Sequence, residues 1–216
     1  MSRVTPDPSL PERIVAIVPV GTLEGAKSRL GQTLDAEERH DLARRLAIRT
    51  IEAVVATPGI AETLVVTPDD EVRRLALDAG ARPLRQRGKG LNAGLREARD
   101  EAIDGDATAI VVVPIDLPAL SAAALKTVVT ALAAPGGPRV VLVPDRHDRG
   151  TNVLGLAPAD AIAFRFGGDS RAAHALLARE AGADLVVING PLRIDLDTPE
   201  DLLLAEQLTP DAVRAG

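Results

Sequence analysis

Ala109-Ile-Val-Val-Val-Pro-Ile-Asp116-Leu-Pro-Ala-Leu120 is the stretch whose reading decides the fold. Five consecutive apolar residues run into Pro114, and a single carboxylate, Asp116, follows before Pro118 stops the element. A strand apolar on both faces belongs in the middle of a parallel sheet covered by helices. Such sheets hold their ligands outside the carboxyl ends of the strands, where Asp116 falls. A lone Asp after a strand also serves as a turn residue or helix cap, so a site here requires partners from elsewhere in the chain.

Working outward, Ile14-Val-Ala-Ile-Val18 and Leu64-Val65-Val66 read as buried strands, as do residues 140–143, 152–156, 185–188 and 192–195. Helices fall between them. Asp35 is placed as an N-cap with Glu38 three residues on, and the helix it opens puts Leu42, Ala43, Leu46, Ala47, Thr50 and Val54 on one face. A second helix runs through Leu77 and ends at Gly80, and a third begins near Leu91-Asn92. Ser121 caps a fourth, with Leu125, Val128, Val129 and Leu132 in register, and Asp169 or Ser170 is positioned to cap a fifth. Thr198 and Pro199 open the last as N-cap and first helical residue. Residues 82–90 read as a basic loop and 133–138 as a surface turn. The alternation gives an α/β fold with a mostly parallel sheet. Residues 1–12 read as a flexible leader, 13–209 as one domain and 210–216 as a tail.

Composition narrows the partners. The 216 residues include two Phe, no Trp and no Tyr, and the formal net charge is −6. Little is left for stacking bases, and the charge disfavours a phosphate backbone, so nucleic acid is not expected. The absence of Cys excludes disulfides, thiolate zinc and a thiol nucleophile. No signal peptide or membrane-length apolar run is apparent, so a cytoplasmic location is expected.

The local chemistry clusters in a few places. In Asp195-Leu-Asp197, residues two apart in an extended segment point to one side. If Asp116 joins them, the three form an all-oxygen site of the kind Mg²⁺ prefers; alternatively, Asp195 and Asp197 are acids placed ahead of a helix N-terminus. The loop from Val20 to Leu30 carries Gly21, Gly25, Lys27 and Arg29, suited to a triphosphate, although Gly and Lys are not adjacent as a Walker A loop requires. A flexible loop with solvated cations is the competing reading. Gly90-Leu91-Asn92 could meet a purine, or close a basic turn. Thr151, Gly167 and Ser170 could hold an anion at a helix start, with Ser170 as a plain N-cap the competing role. His40, His147 and His174 share no metal-ligand spacing; His174, one turn after Ser170, faces either the pocket or the core.

Taken together and in order, Ala26-Lys-Ser-Arg-Leu30, Val65-Val-Thr-Pro-Asp69, Gly90-Leu-Asn92, Asp116-Leu-Pro-Ala-Leu120, Gly150-Thr-Asn152, Arg165-Phe-Gly167 with Asp169-Ser170, and Asp195-Leu-Asp-Thr-Pro199 resemble the 2-phospho-L-lactate and phosphoenolpyruvate guanylyltransferase family of coenzyme F-420 biosynthesis. The resemblance runs from about Ile14 to Leu208. It implies a single Rossmann-like domain of the nucleotide-diphospho-sugar transferase type, with a mixed, mostly parallel sheet and helices on both faces. It implies that GMP passes from GTP to the phosphate of phosphoenolpyruvate or 2-phospho-L-lactate, with release of pyrophosphate. Asp116, Asp195 and Asp197 would hold Mg²⁺, Lys27 and Arg29 would meet the triphosphate, and Gly90, Leu91 and Asn92 the base. Thr151, Gly167 and Ser170 would contact the phosphorylated acid. A homodimer is common among such transferases. Where the family usually has Lys-Pro after the first strand, this chain has Gly21-Thr22, one cation fewer. Competing readings keep the fold with a sugar phosphate or molybdopterin as acceptor, or retain nucleotide binding without catalysis.

Overall fold

The computed structural model of this chain describes residues 13–213, and the leader expected at 1–12 lies outside the described residues. Seven strands form one sheet: β1 (Ile14–Pro19), β2 (Glu62–Thr67), β3 (Arg82–Arg85), β4 (Ala109–Val112), β5 (Arg139–Pro144), β6 (Thr151–Ala157) and β7 (Asp184–Val187). Their spatial order is β3-β2-β1-β4-β6-β5-β7. All pairings are parallel except those of β6, which runs against both β4 and β5. Among the described residues the helices are α1 (Ala36–Val55), α2 (Asp70–Asp78), α3 (Leu91–Asp104), α4 (Ala122–Leu132), α5 (Ser170–Glu180), α6 (Pro199–Leu208) and α7 (Pro210–Val213), with 3₁₀ turns at Ser28–Leu30 and Pro191–Arg193.

The period-2 geometry of a strand sorts its side chains between two cores. Ala16 and Val18 of β1 pack with residues of α1, α2 and α4, whereas Val15 and Ile17 pack with residues of α3 and α5. The helices therefore cover both faces, as the continuous apolar strands require. Ile17, Leu64, Leu95 and Ile110 are fully buried together on the second face. Each such side chain contributes roughly 1.5–3 kcal/mol, well above the ~1 kcal/mol that Gly94 costs inside α3. A third cluster joins Leu42 and Leu46 of α1 to Leu202 and Ala205 of α6, with Leu30 and Leu196 from the loops between. Among the described residues, no helix is long and apolar enough to cross a membrane.

The helix starts follow the sequence. Asp35 and Glu38 form a reciprocal capping box, with bonds of 2.9 and 2.8 Å. Ser121 accepts from the Ala124 amide. Two segments differ. Residues 82–85, expected in a basic loop, form β3, paired along one side only with β2. An edge strand needs no apolar run and tolerates Pro83. Residues 192–195, expected as a strand, instead begin in a 3₁₀ turn, Pro191–Arg193, outside the sheet. The Leu192 carbonyl there is taken by the Asn152 side-chain amide rather than by a strand.

Candidate active site

Because β6 is reversed, its first residues lie at the same rim as the carboxyl ends of β4 and β5. A cavity of about 790 Å³ opens there, lined in part by Asp116, Asp195, Asp197, Thr151, Gly167 and Ser170. That volume is within the ~300–1,000 Å³ usual for small-ligand sites. A smaller pocket of about 240 Å³ is lined by Lys27, Ser28, Arg29 and Asp197.

Two backbone devices bring the carboxylates together. The Leu196 amide donates to the Asp116 carbonyl at 2.9 Å, stitching the loop after β4 to the segment before α6. Asp201 then fixes that segment from below. One of its oxygens accepts from the Asp197 amide (3.2 Å), the Thr198 amide (2.8 Å) and the Thr198 hydroxyl (2.8 Å). The Arg146 guanidinium lies 2.6 Å from the other oxygen. Asp201 is a positioning group that the motif reading passed over. Its signal was present in Thr198-x-x-Asp201, a capping-box spacing.

Lys27 crosses into this cluster from the loop after β1. Its Nζ donates to the Leu196 carbonyl at 2.6 Å and lies 3.4 Å from Asp197 and 3.8 Å from Asp116. Its backbone is left-handed, with φ 53° and ψ 35°, a conformation that costs a residue with a Cβ about 1 kcal/mol or more and that persists where surrounding contacts enforce it. Arg29 reaches the other side of Asp197 at 3.2 Å with its side chain largely in solvent. The loop itself is pinned by Asp69, which accepts from the Leu23 amide while capping α2.

Burial raises the pKa of Asp116, with Asp197 adding to the rise and Lys27 opposing it. Asp195 is pushed up to about 6, first by burial and then by the charges of Asp116 and Asp197. Carboxylates that raise one another in this way accept a cation readily. Among the described residues, no three acidic or His side chains stand preassembled around a single point; the Lys27 ammonium lies between Asp116 and Asp197. The donor set, all oxygen and anionic, nonetheless suits a hard divalent ion such as Mg²⁺.

The opposite wall is built by the turn into α5. Gly167 has φ 137°, open to glycine and strained for other residues. Asp169 is the N-cap of α5 but does not cap with its side chain, which pairs instead with Arg149 at 3.0 Å. Ser170 is the first helical residue, buried and facing the cavity, so neither residue caps in the expected manner. Thr151 meets His174, whose ring is fully buried against the edge of Phe166.

Burial lowers the His174 pKa from 6.5 to about 4, which has a measurable consequence. The unfolded histidine takes up a proton near pH 6.5 and the folded one only near 4, so its contribution to stability falls as pH drops through that interval. The stability advantage of wild type over His174→Phe is expected to shrink by about 3 kcal/mol between pH 7 and pH 4, read by urea unfolding.

Of the residues assigned to a base, Leu91 lines the cavity. Gly90 and Asn92 stand behind it in supporting roles. Asn92 donates to the Phe166 carbonyl and accepts from the Phe166 amide, both at 2.9 Å. The turn before Leu91 is braced by the Gln86 amide, which donates to Gly88 and Gly90. A Cβ on Gly94 would come within 2.7 Å of that Gln86 side chain, which explains a glycine within α3.

Residues 14–206 match a family model described as guanylyl transferase, CofC like. The phosphoenolpyruvate guanylyltransferase of Sphaerobacter thermophilus is 42% identical over 190 residues, covering 87% of this chain and 90% of that protein. That of Rubrobacter xylanophilus is 40% identical over 194 residues, covering 89% and 93%. Among solved structures, a Desulfovibrio desulfuricans protein assigned to the nucleotide-diphospho-sugar transferases superposes with a TM-score of 0.73 at 16% identity, covering 90% of this chain and 87% of that one. A nucleotidyl transferase from Methanothermobacter gives 0.64 at 20% identity, covering 95% and 100%. These structural likenesses concern the fold alone.

Proposed function

Because this chain belongs to the CofC-like guanylyl transferase family, we propose that it transfers GMP from GTP to the phosphate of a small phosphorylated carboxylic acid. Phosphoenolpyruvate is the first choice of acceptor, with 2-phospho-L-lactate the close alternative, and the step would belong to coenzyme F-420 biosynthesis. One observation carries the reading: a cluster of carboxylates bridged by Lys27 and an anion-suited turn at residues 167–170 face each other across one cavity.

In the proposed reaction an oxygen of the acceptor phosphate attacks the α-phosphorus of GTP. A new P–O bond forms, the bond to the β-phosphate bridging oxygen breaks, and pyrophosphate leaves with that electron pair. The attacking phosphate is ionised at neutral pH, so no general base is required. The chain's own groups bind and orient. Lys27 and Arg29 offset charge on the triphosphate, Leu91 offers an apolar surface to the base, and Thr151, Gly167 and Ser170 hold the acceptor. Asp116, Asp195 and Asp197 would hold Mg²⁺, which when bound supplies a positive charge shared by the two anionic reactants.

Pyrophosphate release from GTP, measured with phosphoenolpyruvate, phospholactate, 3-phosphoglycerate and a sugar phosphate, tests the reading. Release is expected with a phosphorylated three-carbon acid and is expected to cease with EDTA. Preference for the sugar phosphate overturns the acceptor assignment. GTP binding without release from any pairing would favour a binding protein.

A further inference from the structure

His174 ties the two sides of the acceptor wall together, and its hydrogen bonds determine which way a neighbouring proton points. The Arg165 amide lies 3.0 Å from His174 Nε2. A backbone N–H can only donate, so Nε2 carries a lone pair. A neutral imidazole then has its proton on Nδ1, and burial keeps this ring neutral, with its pKa down at about 4. Nδ1 lies 3.0 Å from Thr151 Oγ1, so the ring donates and the hydroxyl accepts. The Thr151 hydroxyl proton is thereby left for another partner. No acceptor for it is present among the described residues, and Thr151 lines the cavity.

We propose that His174 is a positioning residue that aims the Thr151 hydroxyl proton at an anionic oxygen of the acceptor while holding the turn opposite. The inference rests on the reading of Thr151, Gly167 and Ser170 as the acceptor subsite. The same ring grips both walls, Thr151 at the start of β6 and the Arg165 amide ahead of α5. Asn92 takes the next amide, that of Phe166. Two consecutive amides are thus fixed from different helices, and Gly167 follows directly. A ring carrying both protons would set its Nε2–H against the Arg165 N–H, and the reverse tautomer would do the same. Only one arrangement of protons satisfies the geometry, and it makes Thr151 a donor toward the cavity.

Steady-state kinetics with GTP and phosphoenolpyruvate test this on wild type, His174→Phe, His174→Asn, Thr151→Val and the double variant Thr151→Val/His174→Phe. His174→Phe is expected to raise KM for phosphoenolpyruvate about tenfold, with KM for GTP and kcat within about twofold of wild type. Thr151→Val should do the same, and the two effects should fall well short of multiplying in the double variant, because the ring acts largely through the hydroxyl. His174→Asn, which keeps an N–H near the Nδ1 position, should recover most of the loss. Multiplying effects in the double variant, or a rise in KM for both substrates alike, overturns the proposal. Nitrogen NMR of the wild-type histidines at pH 7 supplies a reading independent of variant folding: His174 with Nδ1 protonated and Nε2 bare is expected, and the reverse tautomer overturns it. Wild type inactive with every phosphorylated acid removes the acceptor reading and this inference with it. An active wild type matched by His174→Phe removes this inference alone.

Discussion

Asp116→Asn is expected to lose turnover by on the order of 10³-fold while melting no lower than wild type in metal-free buffer. The two halves of this prediction come from one cause. Asp116 is held with its pKa raised by burial and by the charge of Asp197, against the opposing pull of Lys27 and of a backbone hydrogen bond. For an acid, a raised folded pKa means that the folded state prefers the protonated form, so the ionised group costs stability above that pKa and the cost vanishes as pH falls below the unfolded value. Asparagine has the same shape and no charge, so it removes that cost at neutral pH. It also removes the oxygen charge that would hold a divalent ion between two anionic reactants. Pyrophosphate release and thermal melting in EDTA, measured on the same preparation, test both halves. A variant that melts well below wild type would mean that Asp116 serves the fold rather than the cleft. A variant with wild-type turnover would remove Asp116 from the reaction.

The fold was legible because its central strands are apolar on both faces, and this demands helices above and below. The helix starts were legible for a different reason. Asp35, Ser121 and Thr198 each leave a local chemical mark, a side-chain oxygen that takes the amide three residues on. β3 was not legible, because an edge strand is half-solvated and its sequence, Arg-Pro-Leu-Arg, carries no period. Residues 192–195 misled for the converse reason: alternating Leu192, Arg193, Ile194 and Asp195 imitate a strand, but the Leu192 carbonyl goes to the Asn152 side chain rather than to a neighbouring strand.

The site divides along the same line. That Asp116 stands at the ligand rim could be anticipated from the strand before it; the 195–197 pair follows no strand and reaches the rim through the bond of the Leu196 amide to the Asp116 carbonyl. Most of what holds the site could not be anticipated. Arg146 and His174 act across the chain, the first on the Asp201 carboxylate and the second on the Arg165 amide, and such contacts leave no spacing in the sequence; Asp201 alone left one, in Thr198-x-x-Asp201. Gly21 illustrates the point from the other side. A Cβ there meets nothing within 4 Å, and its φ is not among the positive ones, so the backbone does not require glycine. The lysine that the resemblance leads one to expect here is absent without a conformational reason, and Lys27 and Arg29 are the cations the loop brings to Asp197.

That concentration of charge makes Lys27→Met the second large effect, with a loss of turnover of about 10²- to 10³-fold. The side chain is 9% exposed, against 28% for Asp116 and 39% for Asp197. Removing one partner of a buried pair costs about 3–5 kcal/mol, but both carboxylates here can regain water. The expected destabilisation in EDTA is therefore smaller, about 2 kcal/mol. Methionine keeps most of the aliphatic stem, so lost packing contributes little. What remains is the repulsion of Asp116 and Asp197 with no ammonium between them. Asp116, whose pKa burial already raises, loses in Lys27 a group that lowers it; its protonation relieves that repulsion, so the deficit should narrow as pH is lowered from 7 to 4.5. Urea unfolding of both proteins at the two pH values in EDTA tests it. A deficit that does not change with pH would trace to packing around the stem or to the strained backbone at this position, and the ammonium would no longer be the group that holds these two acids at one rim.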